Sequence, residues 1–586
     1  MIEIKLNNID FIVDSNISVL EACEYLGFEV PRFCYHQNLS IAGNCRMCLV
    51  EIANSPKPVA SCALPILNNM KIFVNSPLVK KARENILEAL LLKHPLDCPI
   101  CDQAGECDLQ DQSKFFGIDS NRFFFKKRFV DDKLFSPLVK TIMTRCIHCT
   151  RCVRFNSELT GNESLGTLTR GASTEIGSYY NNNSLYLSEM SANIIDLCPV
   201  GALTLRNYAF KARPWELKTI ESLDLSDGLG SSIYVSFKET QIVRVFPKAN
   251  KELNESFISD KSRLCYDSNE MNRVLGNESY RRIFSHFLKS LTNIKLIVNS
   301  RLDSENLFFA KTLNFANNLN VTSYAFPIEG INRLNFFINW SNNSVKELNI
   351  DSRVCFLICS NIGLENALIA NKLRVKSLLN NISIFGFSLN FNEGLNLNFL
   401  NLNFYKLFSS LESKSLISHS TIDYSNPLFI SNENISRVNI NSFFFQNTIR
   451  RIIASAIIVK AQIVSNTQCL VNSNILTINS RCLNKFDFFI FLELEDSYNF
   501  KRYIAERLSS KLNPFGNIKN LSINSHYSAI VNDKVQFCFP TEYEQEKVFF
   551  NLEERPQKTS KIFNNSGHEN TSFKEFMYGL FHNSSL

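Results

Sequence analysis

Residues 93–114 read KHPLDCPICDQAGECDLQDQSK, in which one histidine is followed by three cysteines on a short loop. The side chains follow the pattern H-x3-C-x2-C-x5-C, with the members His94, Cys98, Cys101 and Cys107. No second C-x2-C or H-x3-H pair completes the pattern, so the spacing differs from that of a zinc finger. This stretch predicts a metal centre. The alternative is that His94 is only the solvated end of the preceding helix.

The composition favours a metal-binding protein of a reducing compartment. Twelve of the 18 cysteines lie before residue 200. In a secreted protein this density would indicate disulfides, but the opening MIEIKLNNIDFIVD alternates like a strand and does not predict a signal peptide. The net charge of +6 on 586 residues, without a basic stripe, does not indicate a nucleic-acid partner. No uncharged apolar run approaches about 18 residues, so we expect no membrane span.

An earlier set of cysteines is spaced C-x10-C-x2-C-x13-C, with the members Cys34, Cys45, Cys48 and Cys62. Plant-type [2Fe–2S] ferredoxins share the central C-x2-C and the distant fourth cysteine, although their first gap is shorter. Gly43 and Asn44 favour a tight turn that points backbone amides at sulfur. The pattern predicts a [2Fe–2S] site, and a structural zinc site is the alternative.

A later set reads C-x2-C-x2-C and is followed by a distant Cys-Pro, with the members Cys146, Cys149, Cys152 and Cys198. This is the bacterial ferredoxin signature for [4Fe–4S], and one triplet with one Cys-Pro closes a single cluster. Arg145, Arg151 and Arg154 flank the triplet, and beside an anionic cluster they would favour its reduced form. His148 lies inside the triplet, and we expect no ligand role for it.

The loop at 93–114 is then best explained as a second [4Fe–4S] site. Its three thiolates can bind three corners of a cubane, and His94 can bind the fourth. An imidazole in place of a thiolate makes a cluster less negative, so a higher potential is expected, as in His-ligated Rieske centres. Three clusters without a nucleophile motif indicate an electron-transfer chain.

Coarse secondary structure divides the chain into a cysteine-rich α+β part and a later α/β part. We predict a hairpin around Asn7-Asn8, a helix in ISVLEACEYLG capped by Ser15 or Asn16 and stopped by Gly27, and Cys23 as a core residue. We also predict a helix at 77–93 with its apolar face at positions 78, 82, 86, 89 and 90. From about residue 220, apolar strands such as KLIVNS, VCFLICS, ISIFGF and FFIFLELE alternate with helical stretches such as SENLFFAKTLNFANNL and LENALIANKLRVKSLL, which favours a parallel sheet covered on both faces.

The three sets resemble the large iron–sulfur subunit of respiratory complex I, the 75-kDa or G-type subunit of NADH:quinone oxidoreductase. The resemblance is carried by VPRFCYHQNLSIAGNCRMCLVEI, KHPLDCPICDQAGECDLQDQ, TRCIHCTRC and DLCPVGALT, and it covers about the first 270 residues. ESLDLSDGLGSSIYVSF and ISDKSRLCYD extend it into a domain that resembles molybdopterin oxidoreductases, and PTEYEQEKVFFNLEERPQ resembles the closing segment of the family.

The resemblance implies four domains and three clusters. The domains would be a [2Fe–2S] ferredoxin-like domain at 1–76, a His/Cys-ligated [4Fe–4S] segment at 77–138, a ferredoxin-like [4Fe–4S] domain at 139–215, and a molybdopterin-oxidoreductase-like α/β domain at 216–586. Some bacterial members carry a fourth cluster where this chain reads SLDLSDGLGSSIYV, which has no cysteine. We therefore expect no cluster and no molybdopterin in the last domain. We expect its cysteines to be packing residues, namely Cys265, Cys355, Cys359, Cys469, Cys482 and Cys538.

The resemblance also implies partners and a location. Electrons would arrive from the flavin-bearing subunit that oxidises NADH and leave toward quinone-side subunits, and the chain would meet a membrane only through the complex. Abundant Phe (49) against scarce Trp (2) resembles the A/T-rich coding of organelle genomes. This favours the matrix side of the mitochondrial inner membrane, and the cytoplasmic face of a bacterial membrane is the alternative.

Two other functions remain open from the sequence. A formate dehydrogenase or hydrogenase subunit shares the N-terminal module, but such enzymes add a catalytic metal site that we do not find in the second half. A zinc-stabilised interaction scaffold would contain zinc and no iron.

Overall fold

The computed structural model describes residues 1–123, 125–179, 188–226, 228–239, 241–264 and 266, and then shorter stretches. These stretches are 294–298, 303–306, 312, 320–323, 354–358, 362–379, 382–387, 397–399, 428–432, 457–461, 488–492, 519–524, 536–538, 546–551 and 556–562. The chain forms two compact units, Met1–Lys218 and Thr219–Leu586.

The first unit is a chain of short elements joined by long loops. Its strands are β1 (Ile2–Leu6), β2 (Ile9–Val13), β3 (Leu49–Ile52), β4 (Val59–Ala60), β5 (Met70–Phe73), β6 (Val139–Thr141), β7 (Leu165–Leu168), β8 (Glu175–Ser178) and β9 (Leu203–Leu205). Its α-helices are α1 (Val19–Tyr25), α2 (Pro77–Lys93), α3 (Asp108–Phe116), α4 (Arg151–Arg154) and α5 (Asn193–Leu197). Single 3-10 turns lie at Ser61–Ala63, Cys98–Ile100, Met143–Arg145, Gly171–Ser173, Arg206–Tyr208 and Pro214–Glu216, and α4 continues into a π-helical turn at Phe155–Thr160.

The first 75 residues form the predicted α+β module. The sheet order is β2-β1-β5-β3-β4, with β1 antiparallel to β2 and parallel to β5. Asn7 and Asn8 both have positive φ, 49° and 72°, as a two-residue type I′ hairpin turn requires. The predicted hairpin is therefore confirmed. The buried core of the module includes Leu6, Val19, Leu20 and Ile72, and Cys23 is fully buried among them as predicted.

The prediction for the start of α1 was wrong. The N-cap is Ser18, not Ser15 or Asn16, and its hydroxyl accepts the Glu21 N–H at 3.2 Å. The Glu21 carboxylate in turn accepts the Ser18 N–H at 2.7 Å, which completes a capping box. The prediction for the stop at Gly27 is confirmed, since this residue adopts φ +81° just after the helix.

Helix α2 has the predicted bounds but a different buried face. Ser76 caps it through its hydroxyl, and Pro77 occupies the first turn. Of the predicted positions, Ile86 and Leu90 are partly buried against apolar neighbours, whereas Leu78 is exposed. The buried residues are Val79, Arg83, Leu87 and Glu88. Apolar periodicity missed the role of Arg83, whose guanidinium donates to the Leu49 carbonyl at 2.9 Å and joins α2 to β3.

The remainder of the first unit surrounds one apolar cluster. Strands β6 and β9 pair antiparallel, as do β7 and β8. The central apolar cluster, as we name it, has the buried members Phe33, Met47, Leu87, Cys107, Leu109, Val200 and Ala202. The partly buried residues packed against it are Cys45, Ile86, Leu90, Phe116, Cys146, Ile147 and Cys198. Cysteines from all three predicted ligand sets thus share one apolar environment.

The second unit contains the predicted parallel sheets. Its strands are β10 (Lys218–Leu223), β11 (Ser232–Lys238), β12 (Gln241–Pro247), β13 (Ile294–Val298), β14 (Asn320–Ser323), β15 (Val354–Ile358), β16 (Ser383–Phe387), β17 (Leu397–Phe399), β18 (Leu428–Asn432), β19 (Ile457–Ala461), β20 (Phe488–Leu492), β21 (Lys519–Asn524), β22 (Gln536–Cys538), β23 (Val548–Phe550) and β24 (Pro556–Lys558). Its helices are α6 (Asp260–Leu264), α7 (Ile362–Glu365) and α8 (Ala367–Leu378).

Two five-stranded sheets, β14-β13-β20-β21-β22 and β17-β16-β15-β18-β19, are parallel in each pairing. Among the predicted packing cysteines, Cys355 is fully buried in β15, and of Cys538 only the backbone in β22 is described. The other four lie outside the described residues, as does most of the predicted helix SENLFFAKTLNFANNL. No helix in the described part of the chain is long and apolar enough to cross a membrane.

Replacement of Leu6 by alanine should destabilise the N-terminal module by about 2–5 kcal/mol, because it leaves a cavity beneath β1. Leu6 is fully buried, whereas Ile12 on the neighbouring strand is 64% exposed. The matched Ile12→Ala variant should therefore change stability by less than about 0.5 kcal/mol. Hydrogen exchange of the β1, β2 and β5 amides measures both effects locally, and equal losses in the two variants would contradict this core assignment.

Candidate metal centres

The four cysteines of the first set lie together between α1 and β5. Cys34, Cys48 and Cys62 are buried and Cys45 is half-buried. The pKa of Cys34 is lowered to about 5, chiefly because the Cys45 thiol donates to it, and the pKa of Cys48 is lowered to about 6 by the Cys62 thiol in the same way. The donors Cys45 and Cys62 have raised pKa values because they hold the protons. The set thus contains two close thiol pairs, Cys34 with Cys45 and Cys48 with Cys62.

Backbone groups of the same loop point at these sulfurs. The Cys34 N–H donates to the Cys45 sulfur at 3.4 Å, and the Asn44 N–H helps to lower the pKa of Cys34. Gly43 and Arg46 adopt left-handed φ values of 61° and 60°, which turns the loop around Cys45. The predicted role of Gly43 and Asn44 in directing amides toward sulfur is supported by this geometry.

All four members of the second set line one cavity of about 600 Å³. Cys98 lies at its exposed side, whereas Cys101 and Cys107 are buried. His94 is the C-cap of α2, so the helix end delivers the imidazole to the cavity. Burial, with help from the Lys127 and Arg145 charges, lowers the pKa of His94 to about 4. The imidazole is therefore neutral near pH 7, which is the form that binds metals.

The cavity wall depends on contacts from distant parts of the chain. A Cβ on Gly201 would lie 2.3 Å from the Cys101 sulfur, so only glycine leaves room for this thiol. Arg213 donates to the carbonyls of Cys101 at 2.6 Å and Pro99 at 2.5 Å. The Trp215 ring packs over Gly105, where a Cβ would lie 2.7 Å from it. Sequence reasoning missed these residues, because no local pattern links them to the loop at 93–114.

The third set is gathered around the turn before α4 and the end of α5. Burial raises the pKa of each of its four thiols, to about 11 for Cys146. The charges of Cys146 and Cys149 further raise the pKa of both Cys152 and Cys198, so the distant Cys198 lies close to the triplet. The His148 N–H donates to the Cys146 sulfur at 3.4 Å, and His148 and Thr150 adopt left-handed φ values of 56° and 60°.

The three flanking arginines do not act alike. Arg145, which directly precedes Cys146, also lines the cavity of the second set and pairs with Asp97 at 3.0 Å. Arg151 and Arg154 do lie beside the triplet, and both are buried. The His148 ring lies 3.0 Å from an Arg128 nitrogen.

The donors suit iron–sulfur clusters. Thiolates and one neutral imidazole are the ligands of such clusters, and four donors complete each one. The cavity at the second set gives a bulky bound group room between these loops. Gly201 allows the Cys101 thiol to lie at the wall of that cavity. Within the described ranges, no three His, Cys, Asp or Glu side chains are gathered closely enough to hold a single metal ion. The ligands of an iron–sulfur cluster need not converge on one atom, because they bind several irons.

Family models match four consecutive segments of the chain. They are a 2Fe-2S iron-sulfur cluster binding domain at 1–77, an NADH-ubiquinone oxidoreductase-G iron-sulfur binding region at 83–122, an NADH-quinone oxidoreductase subunit 3 ferredoxin-like domain at 136–204, and an NDSU1/NuoG-like 4Fe-4S domain at 217–267. The predicted ferredoxin-like and iron–sulfur domains of the N-terminal region are thereby confirmed. The fourth match is to a 4Fe-4S family, yet this segment contains Cys265 as its one cysteine.

Curated relatives carry the same name as the predicted family. The NADH-ubiquinone oxidoreductase 75 kDa subunit of Reclinomonas americana is 45% identical over 66% of this chain and 60% of its own length. Over this extent the chain is similar to a 75-kDa subunit of this kind. The mitochondrial NADH dehydrogenase [ubiquinone] iron-sulfur protein 1 of Solanum tuberosum is 56% identical over 47% of this chain and 37% of its own length.

A bacterial relative is similar over nearly the same extent. The G-type subunit of the NADH-quinone oxidoreductase of Rickettsia felis is 41% identical over 64% of this chain and 59% of its own length. The alignments thus span less than two thirds of each of these relatives. Among solved structures, a chain of an NAD+-reducing [NiFe]-hydrogenase is 27% identical, with a TM-score of 0.34, over 36% of this chain and 90% of that one.

Substitution of Gly201 by alanine should displace the Cys101 thiol and remove metal from the second set. We expect the purified protein to lose about four of about ten irons, since one [4Fe–4S] site is affected. Iron analysis and electron paramagnetic resonance (EPR) of the reduced protein measure the loss, and the signals of the other two sets serve as the internal control. Wild-type iron content with three intact signals would contradict the proposed role of Gly201.

Proposed function

We propose that this chain is the electron-transfer subunit of an NADH:ubiquinone oxidoreductase. The observation that carries the proposal is that three complete four-donor sets are each gathered within the segment that iron–sulfur family models match. Its relatives are named as subunits of NADH-ubiquinone and NADH-quinone oxidoreductases, which supports the reaction. When bound, iron–sulfur clusters supply one-electron oxidation and reduction.

The residues divide into three ligand sets. Cys34, Cys45, Cys48 and Cys62 hold a [2Fe–2S] cluster. His94, Cys98, Cys101 and Cys107 hold a [4Fe–4S] cluster with one imidazole ligand. Cys146, Cys149, Cys152 and Cys198 hold a [4Fe–4S] cluster with four thiolates.

The protein contributes three physical effects at these sites. The central apolar cluster excludes water from the thiols that pack against it. Backbone N–H groups and buried arginines face the sulfurs and stabilise negative charge on them. The helix end of α2 holds the neutral His94 imidazole in place as a ligand.

The division into domains at 1–76, 77–138, 139–215 and 216–586 belongs to the same proposal. The last of these is a molybdopterin-oxidoreductase-like domain without a cluster of its own. Its parallel sheets support an α/β domain of that kind, and the single cysteine in 217–267 cannot supply four thiolates. We assign this domain a scaffold role in assembly.

The partners are the flavin-bearing, NADH-oxidising subunit on one side and quinone-side subunits of the peripheral arm on the other. The chain meets the membrane through the complex, on the matrix side of the mitochondrial inner membrane. The Solanum tuberosum relative, which is named as mitochondrial, supports the organelle.

The decisive experiment is EPR of the intact complex after reduction with NADH. We expect about ten irons in this chain and three signals that NADH elicits. Cys149→Ser should remove one signal, whereas Cys23→Ala, a buried cysteine outside the sets, should leave all three. Molybdenum or tungsten in the chain would instead indicate a formate dehydrogenase, and stoichiometric zinc without iron would indicate a scaffold.

Replacement of His94 by cysteine should keep the second cluster but lower its midpoint potential, because a thiolate adds negative charge where a neutral imidazole stood. A redox titration monitored by EPR measures the shift. The matched His148→Gln variant alters a histidine outside the ligand sets and should leave the same potential unchanged. An unaltered potential and spectrum in His94→Cys would show that His94 is only a helix-end residue.

A further inference from the structure

Arg154 is a buried side chain that touches two different ligand loops. Its guanidinium donates to the carbonyl of Cys34 at 2.5 Å and to that of Cys149 at 3.2 Å. It also donates to the Ser40 carbonyl, in the same loop as Cys34. One side chain therefore joins a member of the first set to a member of the third across more than 100 residues of sequence.

Two neighbours repeat this connection. Arg151, on the same short helix, donates to the carbonyl of Tyr35 at 2.8 Å and to that of Leu197 at 3.2 Å, and these residues adjoin Cys34 and Cys198. The Asn44 amide donates to the His148 carbonyl at 3.1 Å. The planar guanidinium fork can hold two acceptors at a fixed separation, which a lysine ammonium on its flexible stem cannot do.

The charge of Arg154 matters as much as its geometry. A buried cation is costly unless negative charge compensates it. The described partners of this guanidinium are carbonyl oxygens and the Thr150 hydroxyl, none of which carries a charge. An electron added to either set would bring negative charge close to this cation.

We propose that Arg154 is a positioning residue shared by the first and third sets, which fixes the separation of their loops and raises the reduction potential of both. The inference rests on the proposed function, because it requires that both sets hold clusters. It assigns one side chain to two electron carriers, so replacement of Arg154 must change the reduction potential of both.

The charge is tested with Arg154→Gln in the intact, cluster-loaded protein. Redox titration followed by EPR should show that both midpoint potentials fall together. Arg170→Gln is the matched control, since it removes the same charge from an exposed position. A fall at only one set, at neither, or equally in the control would overturn the shared electrostatic role.

The fork is tested with Arg154→Lys, which keeps the charge. Both midpoint potentials should stay near those of the wild type. The magnetic interaction between the two reduced clusters should weaken, because Arg154 no longer holds the Cys34 and Cys149 carbonyls at a fixed separation and only Arg151 and Asn44 still join the loops. If Arg154→Gln fails to fold, Arg154→Lys alone tests the proposal. An unchanged magnetic interaction, or a fall in both midpoint potentials although the charge is kept, would contradict the proposal. Absence of either signal from the wild-type protein would instead contradict the proposed function itself.

Discussion

The first unit depends on holding many sulfur atoms away from water without leaving their charge uncompensated. The central apolar cluster supplies the dry environment, since it includes Cys107 and packs against Cys45, Cys146 and Cys198. The same burial raises the pKa of Cys107 and of Cys146 to about 11, so an apolar pocket alone would keep these thiols protonated. Backbone amides and buried arginines beside the sulfurs favour the thiolates. The loops, the glycine at 201 and the left-handed residues of the triplet follow from that requirement.

Features set by neighbouring residues were predictable from the sequence. The paired asparagines of the hairpin, Pro77 at the start of α2 and Gly27 after α1 each act within a few residues. The cap of α1 was not predictable in this way. The Ile17 carbonyl accepts the Ile66 N–H and Ser18 forms a bridge with Pro65, so a distant segment holds these two residues extended and moves the start of the helix. Tertiary pairing outweighed the local preference of Ser15 and Asn16.

The candidate metal centres also combine features set by neighbouring residues with features set by distant ones. Cysteine spacing was enough to separate three sets, because each set contains a C-x2-C that only a tight loop can present to one group. The side chains that hold these loops together could not be predicted from the sequence. Arg145 lines the cavity of the second set, and Arg213 donates to the Cys101 carbonyl from more than 100 residues away. Burial of Arg83 on α2 was not predicted for a related reason. Its guanidinium donates to a backbone carbonyl on another element, a contact that hydrophobic periodicity cannot predict.

The unequal exposure of the twelve donors has a chemical consequence for the isolated protein. Cys98 is exposed, whereas the other eleven are buried or half-buried. Oxidation of cysteine to sulfenic and higher acids follows thiolate character and accessibility, and a metal-bound cysteine has thiolate character. Air and peroxide therefore reach the second set first, through Cys98. Damage there is local at the outset, because the other two thiols of that cavity, Cys101 and Cys107, are buried.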